Sequence, residues 1–354
     1  MGKKTLMKGN EALAESAIRS GCRFYFGYPI TPQTELAEYM AKQLPKRGGT
    51  FLQAESEIAA ISMVYGTSAA GKRVMTSSSS PGISLKQEGI SYLAGSNLPA
   101  VIVNVQRGGP GLGGIQPSQA DYFQACKGGG HGDYHLIVLA PSTAQEMADL
   151  TVLAFDLADK YRMQSMILAD GTVGQMMEPV ELPEPKTSEI DKPWALKGKG
   201  NGNETGKART ITSISLSPEE LEQWNINNFE KYHQLEANEQ RAEEFMMDDA
   251  EVCVVAFGIS ARISRNAVLA ARAKGIKAGL IRPITLYPFP KDVLKKAAAH
   301  VDRFISVELN MGQMIEDVKL AIECSKPVSL CNRVGGVIMT PEEVLAAIEG
   351  GQTK

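Results

Sequence analysis

Residues 26–32, with prolines at positions 29 and 32, limit the possible folds more than any other part of the sequence. An apolar run typical of a buried strand ends there, and Gly27 lets the backbone turn. Pro29 and Pro32 lack the backbone N–H that a helix or sheet needs, so neither element can continue through them. Thr31 is predicted to be the N-cap of a helix that begins at Pro32. This turn either holds a ligand at the carboxyl edge of a parallel sheet or simply connects two elements.

Strands alternate with helices over the first half of the chain. The strands are predicted at 23–26, 50–52, 72–76, 99–105, 136–139 and 166–169, and the helices at 10–20, 31–40, 56–70, 85–93 and 142–160. The run at 99–105 is rich in β-branched residues, which is typical of a strand buried on both faces. The serines at 77–80 are interpreted as a polar loop. The alternation predicts an α/β fold over residues 1–183, doubly wound around a mostly parallel sheet.

The composition changes after residue 183. Residues 184–249 are predicted to form a linker and a charged connecting helix, because proline, glycine and charged side chains replace the apolar periodicity. A second, smaller α/β domain is predicted over residues 250–354. Its strands are expected at 252–257, 278–281, 303–307 and 327–330, and its helices at 258–275, 290–298, 312–323 and 341–349.

The charge balance excludes several classes of function. The 354 residues carry a net charge of −3, which gives no reason to expect nucleic acid or an anionic membrane as partner. No apolar run approaches the ~18 residues of a transmembrane helix. The basic first residues are not followed by the apolar segment of a signal peptide. A cytoplasmic location is therefore expected.

The cysteines and histidines do not form a metal-binding pattern. None of the five cysteines lies in a C-x-x-C pair, so the chain by itself is predicted to hold neither an iron–sulfur cluster nor a Cys-rich zinc site. His131 and His135 are four residues apart, but the glycines around them disfavour a helix and hence a metal-binding pair. That loop is interpreted as a cover over a site or as a partner contact. The P-loop and Rossmann phosphate motifs are absent.

Three polar residues follow three different predicted strands: Thr31, Glu57 and Arg107. Since ligands bind at the carboxyl ends of such strands, we expect a hydroxyl, a carboxylate and a guanidinium group to share one pocket. The glycines after Arg107 would let the backbone approach an anionic substrate closely. Two simpler explanations stay open. Glu57 is also what the first turn of any helix favours, and Arg107 could be an ordinary surface arginine.

Several of these segments together resemble one protein family. Residues 27–32, residues 55–60, the loop after Arg107 and residues 282–290 resemble, in this order, the α subunit of the thiamine-diphosphate-dependent 2-oxoacid:ferredoxin oxidoreductases. The run at 128–133 and the chain length resemble most the subunit that acts on branched-chain 2-oxoacids, such as 3-methyl-2-oxobutanoate (ketoisovalerate). The resemblance implies a pyrimidine-binding domain at 1–183, a connecting segment at 184–249 and a transketolase-C-terminal-like domain at 250–354.

The resemblance also implies roles for single residues. Glu57 matches the catalytic glutamate that hydrogen-bonds the aminopyrimidine ring of thiamine diphosphate. A carboxylate there favours the imino tautomer, which removes the thiazolium C2 proton. Thr31 and Arg107 match residues that bind the carboxylate and carbonyl end of the substrate. The turn residues that match cofactor contacts are Tyr28, Pro29 and Ile30.

Half of the expected machinery is missing from the sequence. It has no Gly-Asp-Gly stretch with a downstream Asn to hold magnesium and diphosphate, and no cluster cysteines. The resemblance implies that a β subunit supplies the Mg²⁺ and diphosphate site and that γ and δ subunits carry the iron–sulfur clusters. Ferredoxin would accept the electrons, and coenzyme A would take the acyl group as CO₂ leaves. The chain by itself is expected to be inactive.

Two alternatives remain at this point. The same family includes enzymes for 2-oxoglutarate, pyruvate and arylpyruvates, and the sequence alone does not place the walls of the substrate pocket. The chain could also be a non-catalytic subunit that only scaffolds an electron-transfer complex. The function of Glu57 distinguishes this second alternative from an enzyme.

Overall fold

Helices and strands alternate in the computed structural model, which describes residues 4–186, 190–198 and 209–350. The strands are β1 (Lys4–Lys8), β2 (Phe24–Gly27), β3 (Thr50–Gln53), β4 (Val74–Ser78), β5 (Ala100–Gln106), β6 (Ile137–Leu139), β7 (Gln164–Asp170), β8 (Met177–Glu181), β9 (Ala242–Phe245), β10 (Val252–Ala256), β11 (Ala278–Pro283), β12 (Thr285–Tyr287), β13 (Arg303–Glu308) and β14 (Val328–Asn332). The helices are α1 (Gly9–Arg19), α2 (Thr34–Gln43), α3 (Glu57–Ala69), α4 (Ser80–Gly95), α5 (Tyr122–Cys126), α6 (Ala144–Tyr161), α7 (Gly171–Gln175), α8 (Pro218–Asn238), α9 (Gly258–Ala273), α10 (Lys291–Ala298), α11 (Met314–Ala321) and α12 (Pro341–Ile348).

Two sheets carry the fold. The first has seven strands in the order β12-β6-β7-β5-β4-β2-β3, and all of its pairs are parallel except β12 with β6. The second has five strands in the order β14-β13-β10-β11-β9, and only β9 is antiparallel. The predicted α/β fold with a mostly parallel sheet is therefore confirmed. Strands β4, β5, β7, β10 and β11 are buried along their whole length or nearly so, as expected for strands covered by helices on both faces.

Strands cross the predicted division of the chain at residue 250 in both directions. Strand β9, before that residue, adds to the second sheet, and β12, after it, adds to the first. Arg282 of β11 forms an ion pair with Glu146 of α6 at 2.6 Å and with Glu243 of β9 at 2.8 Å. The two crossing strands and the ion pairs of Arg282 connect the two sheets. The division into parts at 183 and 250 remains a proposal.

The prediction of a helix that starts at Pro32 with Thr31 as N-cap is wrong. Helix α2 begins at Thr34, with Gln33 in the N-cap position. Tertiary hydrogen bonds explain the later start. The carbonyl oxygen of Thr31 accepts from Arg107 at 3.0 Å, and that of Pro32 accepts from the Asn10 side chain at 3.0 Å. Neither carbonyl is then free to begin the helical ladder.

Four other local predictions differ from the structure. The serines read as a loop mostly belong to β4 and α4, which leave only Ser79 between them. The helix expected from residue 142 begins at Ala144, because the hydroxyl of Thr143 caps it by accepting from the Glu146 backbone at 3.1 Å. Strands β1 and β8, which were not predicted, pair with each other. The charged connecting helix ends at Asn238, and β9 follows it.

Buried polar side chains join the two sheets. Gln119 donates to the carbonyl oxygen of Phe257 at 2.8 Å and accepts from the Ser260 hydroxyl at 2.8 Å. Asp170, at the end of β7, caps α7 through the backbone N–H groups of Thr172 and Val173 and also accepts from the N–H of Ile259 at 2.9 Å. Burial raises the pKa of the Asp170 carboxyl, while these backbone N–H groups oppose the shift. One carboxylate thus fixes the start of two helices in different halves of the chain.

Among the residues that the structure describes, no helix is both long enough and apolar enough to cross a membrane.

Replacing Asp170 by alanine should lower the free energy of unfolding by about 2–3 kcal/mol, because it removes a helix cap and leaves the Ile259 N–H buried without a partner. The midpoint of denaturant unfolding measures this change. Asp191 is the matched control: its side chain is 80% exposed, so Asp191→Ala should stay within about 0.5 kcal/mol of the parent. Equal midpoints for the two variants would contradict the role of Asp170.

Candidate functional site

The turn after β2 and the glycine loop after β5 meet at the carboxyl edge of the first sheet. Arg107 directly follows β5 and is only 8% exposed. Its Nη1 donates to the carbonyl oxygen of Thr31 at 3.0 Å, and its Nη2 donates to that of Leu112 at 3.1 Å. The structure therefore brings Thr31 and Arg107 together through the backbone of Thr31. Thr31 itself remains exposed to solvent. The alternative of a free surface arginine is wrong.

A network of buried hydrogen bonds fixes the position of Arg107. The Ser80 hydroxyl accepts from the backbone N–H of Arg107 at 3.1 Å and donates to the Asp121 carboxylate at 2.6 Å. Asn104 of β5 donates to the same carboxylate at 2.8 Å. Burial raises the pKa of Asp121, and the hydrogen bonds from Ser80 and Asn104 oppose the shift. The position of the Arg107 loop is thus fixed by side chains of α4 and β5.

Glu57 is the first residue of α3 and lies almost completely out of solvent, at 6% exposure. The preceding Ser56 caps the helix by accepting from the Ala59 N–H at 3.2 Å. The positive end of the helix dipole therefore faces the Glu57 carboxylate. In the described parts of the chain, nothing donates a hydrogen bond to that carboxylate. A side chain this far from solvent whose carboxylate accepts no hydrogen bond differs from an ordinary exposed first-turn glutamate.

Gly82, in the first turn of α4, lies directly against Glu57. A Cβ atom at this position would stand 2.7 Å from Oε1 of Glu57 and 2.1 Å from the hydroxyl oxygen of Ser78. Only a glycine leaves room for the carboxylate in its present position. We call Thr31, Glu57, Gly82 and Arg107 the carboxyl-edge cluster. No hydrogen bond between described residues links Glu57 directly to Thr31 or Arg107.

Several polar atoms around this cluster are buried but have no partner within the described chain. They are the hydroxyl oxygens of Ser78 and Ser79, Nε2 of Gln33 and Nε of Arg107. Ser77, next to them, is satisfied, because its hydroxyl bonds both Gln33 Oε1 at 2.5 Å and the Tyr25 hydroxyl at 2.6 Å. Buried polar groups in folded proteins are normally paired. Further unpaired buried atoms occur elsewhere among the described residues, and those at this edge of the sheet lie where a ligand would satisfy them.

Lys86 is a buried residue that the sequence reasoning missed. It is fully buried, and its ammonium group donates to the Thr76 hydroxyl at 2.6 Å and to the Ser77 carbonyl oxygen at 3.1 Å. Its place in the sequence did carry a signal: Ile83 and Ile90 lie three before and four after it, which puts Lys86 on the core-facing side of α4.

The predicted cofactor contacts Tyr28, Pro29 and Ile30 lie in the connection between β2 and α2. Tyr28 and Pro29 are exposed, and Ile30 is half-buried. Tyr28 thus presents an apolar ring beside the cluster without being packed into the core. Their contact with a cofactor remains a proposal.

A cavity of about 530 Å³ opens beside Thr31. Its walls come from the turn, the glycine loop, α7 and the segment before α12, and they include Ile115, Met176 and Ile338 as apolar side chains. None of the described residues that line it carries a charge. The cavity therefore suits an uncharged, partly apolar group next to the carboxyl-edge cluster.

No group of three or more His, Cys, Asp or Glu side chains that could hold a metal ion occurs among the described residues. His135 stacks on Tyr287 with ring centroids 4.2 Å apart, and burial lowers its pKa. His131 instead lies 3.3 Å from the Ser91 hydroxyl. The two histidines thus have separate surroundings. The run Asp170-Gly171-Thr172 is only superficially similar to a diphosphate-binding motif. In the structure its aspartate caps α7.

Two family models cover most of the chain. Residues 15–249 match the thiamine-diphosphate-binding domain of pyruvate flavodoxin/ferredoxin oxidoreductase, and residues 250–344 match core domain II of pyruvate:ferredoxin oxidoreductase. Among curated proteins, ketoisovalerate oxidoreductase subunit VorB of Methanothermobacter thermautotrophicus is 54% identical over 97% of this chain and 96% of its own length. The 2-oxoglutarate synthase subunit KorA of Methanocaldococcus jannaschii is 40% identical over 98% of this chain and 100% of its own.

Two solved structures share the fold of this chain. A 2-oxoglutarate:ferredoxin oxidoreductase from Magnetococcus marinus, with 2-oxoglutarate, coenzyme A and succinyl-CoA bound, matches 99% of this chain with a TM-score of 0.85 and 29% identity. This chain spans 65% of that longer chain. A split-gene transketolase matches with a TM-score of 0.59 at 14% identity, over 99% of this chain and 98% of its own, which shows the shared fold alone.

Replacing Gly82 by alanine should lower the free energy of unfolding by about 1–3 kcal/mol, because the new methyl group overlaps Ser78 and the Glu57 carboxylate. Thermal unfolding measures the effect. Gly66, in the middle of the neighbouring helix α3, is the matched control, since a Cβ there would meet nothing within 4 Å. Gly66→Ala should leave stability unchanged or raise it by up to about 1 kcal/mol. A Gly82→Ala protein as stable as Gly66→Ala would show that the contact at Glu57 is loose.

Proposed function

The chain belongs to the family of 2-oxoacid:ferredoxin oxidoreductases, and we propose that it is the subunit of a ketoisovalerate oxidoreductase that binds the aminopyrimidine half of thiamine diphosphate. In the proposed reaction the complex oxidatively decarboxylates 3-methyl-2-oxobutanoate. The products are the branched acyl-CoA, CO₂ and two electrons, which pass to ferredoxin. The level of identity to ketoisovalerate oxidoreductase subunits, above that to 2-oxoglutarate synthase subunits, supports this choice of substrate.

The single observation that supports the role most is the nearly buried Glu57, whose carboxylate accepts no hydrogen bond from the described residues. The residues present fit the cofactor ring: Glu57 can hold a proton on a ring nitrogen, Gly82 leaves room for the carboxylate, and the buried hydroxyl groups of Ser78 and Ser79 have no partner among the described residues. A heteroaromatic ring with polar edges would satisfy these groups. When bound, thiamine diphosphate supplies a carbon nucleophile and an electron sink.

The other residues of the carboxyl-edge cluster would act on the substrate. Arg107 keeps its guanidinium charge in a nearly water-free position, with Nε unpaired and the Nη groups only partly used by carbonyl oxygens. A carboxylate binds such a group strongly. Thr31, held at 3.0 Å by the same guanidinium, would place its hydroxyl beside the substrate's carbonyl end. Together they would orient the carboxylate that is lost as CO₂.

The proposed partners follow from what the chain lacks. Relatives of this chain are named as subunits, so the enzyme has more than one kind of chain. We propose that a β subunit supplies the diphosphate and Mg²⁺ site, that γ and δ subunits carry the iron–sulfur clusters, and that coenzyme A enters as cosubstrate. A cytoplasmic location is part of the proposal, since all five cysteines are free thiols.

The cavity beside Thr31 supports a substrate with an uncharged side chain. Its described lining is apolar or neutral, whereas the second carboxylate of 2-oxoglutarate would call for a cation. Oxidation of 2-oxoglutarate is the second candidate function. The 40% identity to a 2-oxoglutarate synthase subunit favours it. A purely scaffolding subunit would have no use for a buried, unpaired carboxylate.

Glu57→Gln should reduce turnover of the reconstituted complex at least about a hundredfold, because glutamine cannot accept the ring proton. Assembly should be unaffected, since the two side chains have nearly the same shape. Turnover is measured by reduction of a viologen dye with 3-methyl-2-oxobutanoate and coenzyme A, and assembly by size-exclusion chromatography. Glu38→Gln, on the exposed side of α2, is the control and should behave as the parent. Full activity of Glu57→Gln would favour the scaffold alternative.

A substrate panel tests the choice of 2-oxoacid. The reconstituted complex should have a kcat/KM for 3-methyl-2-oxobutanoate at least about tenfold above that for 2-oxoglutarate, because an unpaired charge in a neutral pocket is strongly rejected. Pyruvate, which loses two methyl groups, should also be a poorer substrate. The chain without its partners should show no activity. A preference for 2-oxoglutarate would contradict the substrate assignment and leave the family role of Glu57 intact.

A further inference from the structure

Lys86 is a fully buried cation that the proposed reaction does not use. Its ammonium group reaches from α4 to β4 and donates to two neutral oxygens, those of the Thr76 hydroxyl and the Ser77 carbonyl. No carboxylate of the described residues lies within ion-pair distance of it. An ammonium group in such surroundings opposes folding, because two neutral acceptors replace its hydration only in part.

The position of Lys86 relates it to Glu57. Gly82 and Lys86 are four residues apart on α4 and so lie on the same face of that helix, one turn from each other. The Glu57 carboxylate lies against Gly82, with its Oε1 2.7 Å from where a Cβ would stand. The same Cβ position would meet the Ser78 hydroxyl, and the Lys86 ammonium binds the carbonyl oxygen of Ser77, the preceding residue of β4, so both charged groups lie between α4 and the end of β4. Burial lowers the pKa of Lys86 to about 7, and the negative charge of Glu57 opposes part of that shift.

The other ionisable groups around this pair are already engaged. Arg107 is bound to the carbonyl oxygens of Thr31 and Leu112. Asp121 accepts from Ser80 and Asn104. Tyr25 of β2, which reaches the same region through Ser77, stays neutral because burial raises its pKa to about 12. Strand β4 contributes only the neutral residues of 74–78. Among these groups, Glu57 is the one charge to which Lys86 responds.

We propose that Lys86 is a positioning residue for Glu57, whose buried ammonium group attracts the Glu57 carboxylate and keeps it oriented toward the cofactor ring. The inference rests on the role proposed for Glu57. The attraction between a cation and a carboxylate is stronger where both are withdrawn from water. The coupling is full below about pH 7, where Lys86 carries its charge, and fades above it. The orientation of Glu57 would thus depend on the charge of Lys86.

The coupling can be measured on the full chain without cofactor or partners. With lysine labelled with carbon-13 at Cε, one NMR signal should titrate near pH 7, far below the exposed lysines, and Lys86→Met should remove it. In Glu57→Gln the midpoint of this signal should fall by about half a pH unit or more, because the stabilising negative charge is lost. In Glu38→Gln it should not move. An unchanged midpoint in Glu57→Gln, or a Lys86 that titrates with the exposed lysines, would overturn the proposal.

The consequence for the cofactor is measured in the reconstituted complex, as the rate of deuterium exchange at C2 of bound thiamine diphosphate against pH. In the parent this profile should have an inflection near pH 7, where Lys86 titrates, and in Lys86→Met the inflection should disappear because the titrating charge is gone. Lys42→Met, on the exposed surface of α2, should leave the profile unchanged. A purely structural Lys86 would lower the exchange rate equally at every pH, and that result would overturn the proposal.

Thermal stability separates a functional role from a structural one. Methionine is close to lysine in length and volume and carries no charge to desolvate, so Lys86→Met should unfold at the parent's temperature or higher. A clearly lower unfolding temperature would make Lys86 a structural residue and overturn the proposal. If Glu57→Gln retains normal C2 exchange while the NMR coupling is present, the role proposed for Glu57 fails and the electrostatic pairing stands.

Discussion

The hydrogen bond from the Arg107 guanidinium to the Thr31 carbonyl oxygen is the interaction on which the carboxyl-edge cluster depends. It joins two loops that follow different strands, β2 and β5, and it takes the carbonyl group that a helix beginning at Pro32 would have needed. Helix α2 consequently starts later and leaves the turn open at the sheet edge. Because the backbone of Arg107 is held by Ser80, which is in turn bound to Asp121, the turn is fixed relative to α4 and β5.

The cluster is incomplete within this chain. Hydroxyl groups of Ser78 and Ser79 and an amide nitrogen of Gln33 are buried without partners among the described residues. Glu57 is nearly buried beside them, and its carboxylate accepts no hydrogen bond from the described residues. Unpaired buried groups of this kind reduce stability, and a bound ligand would satisfy them. The relatives of this chain are named as subunits, which agrees with a site that this chain forms only in part.

Much of the architecture could be predicted because it depends on local patterns. The buried strands β5, β7 and β10 carry continuous apolar runs, and their alternation with helices along the chain implies a parallel sheet. What could not be predicted involves contacts between distant segments. Strands β1 and β8, at residues 4–8 and 177–181, pair with each other, and β9 and β12 each join the sheet of the other half. Their short, polar or proline-containing sequences show no alternation, so only the pairing itself identifies them.

The sequence by itself determined the α/β class and the family, and it predicted Thr31, Glu57 and Arg107 as site residues because each follows a strand of a parallel sheet. Only the tertiary structure decided how these groups are held. It buried Arg107 against a carbonyl oxygen, left the Glu57 carboxylate without a donor among the described residues, required glycine at position 82 and buried Lys86 against β4. The physical reason is that burial and hydrogen-bond pairing depend on which distant segments pack together, and a linear pattern does not record this.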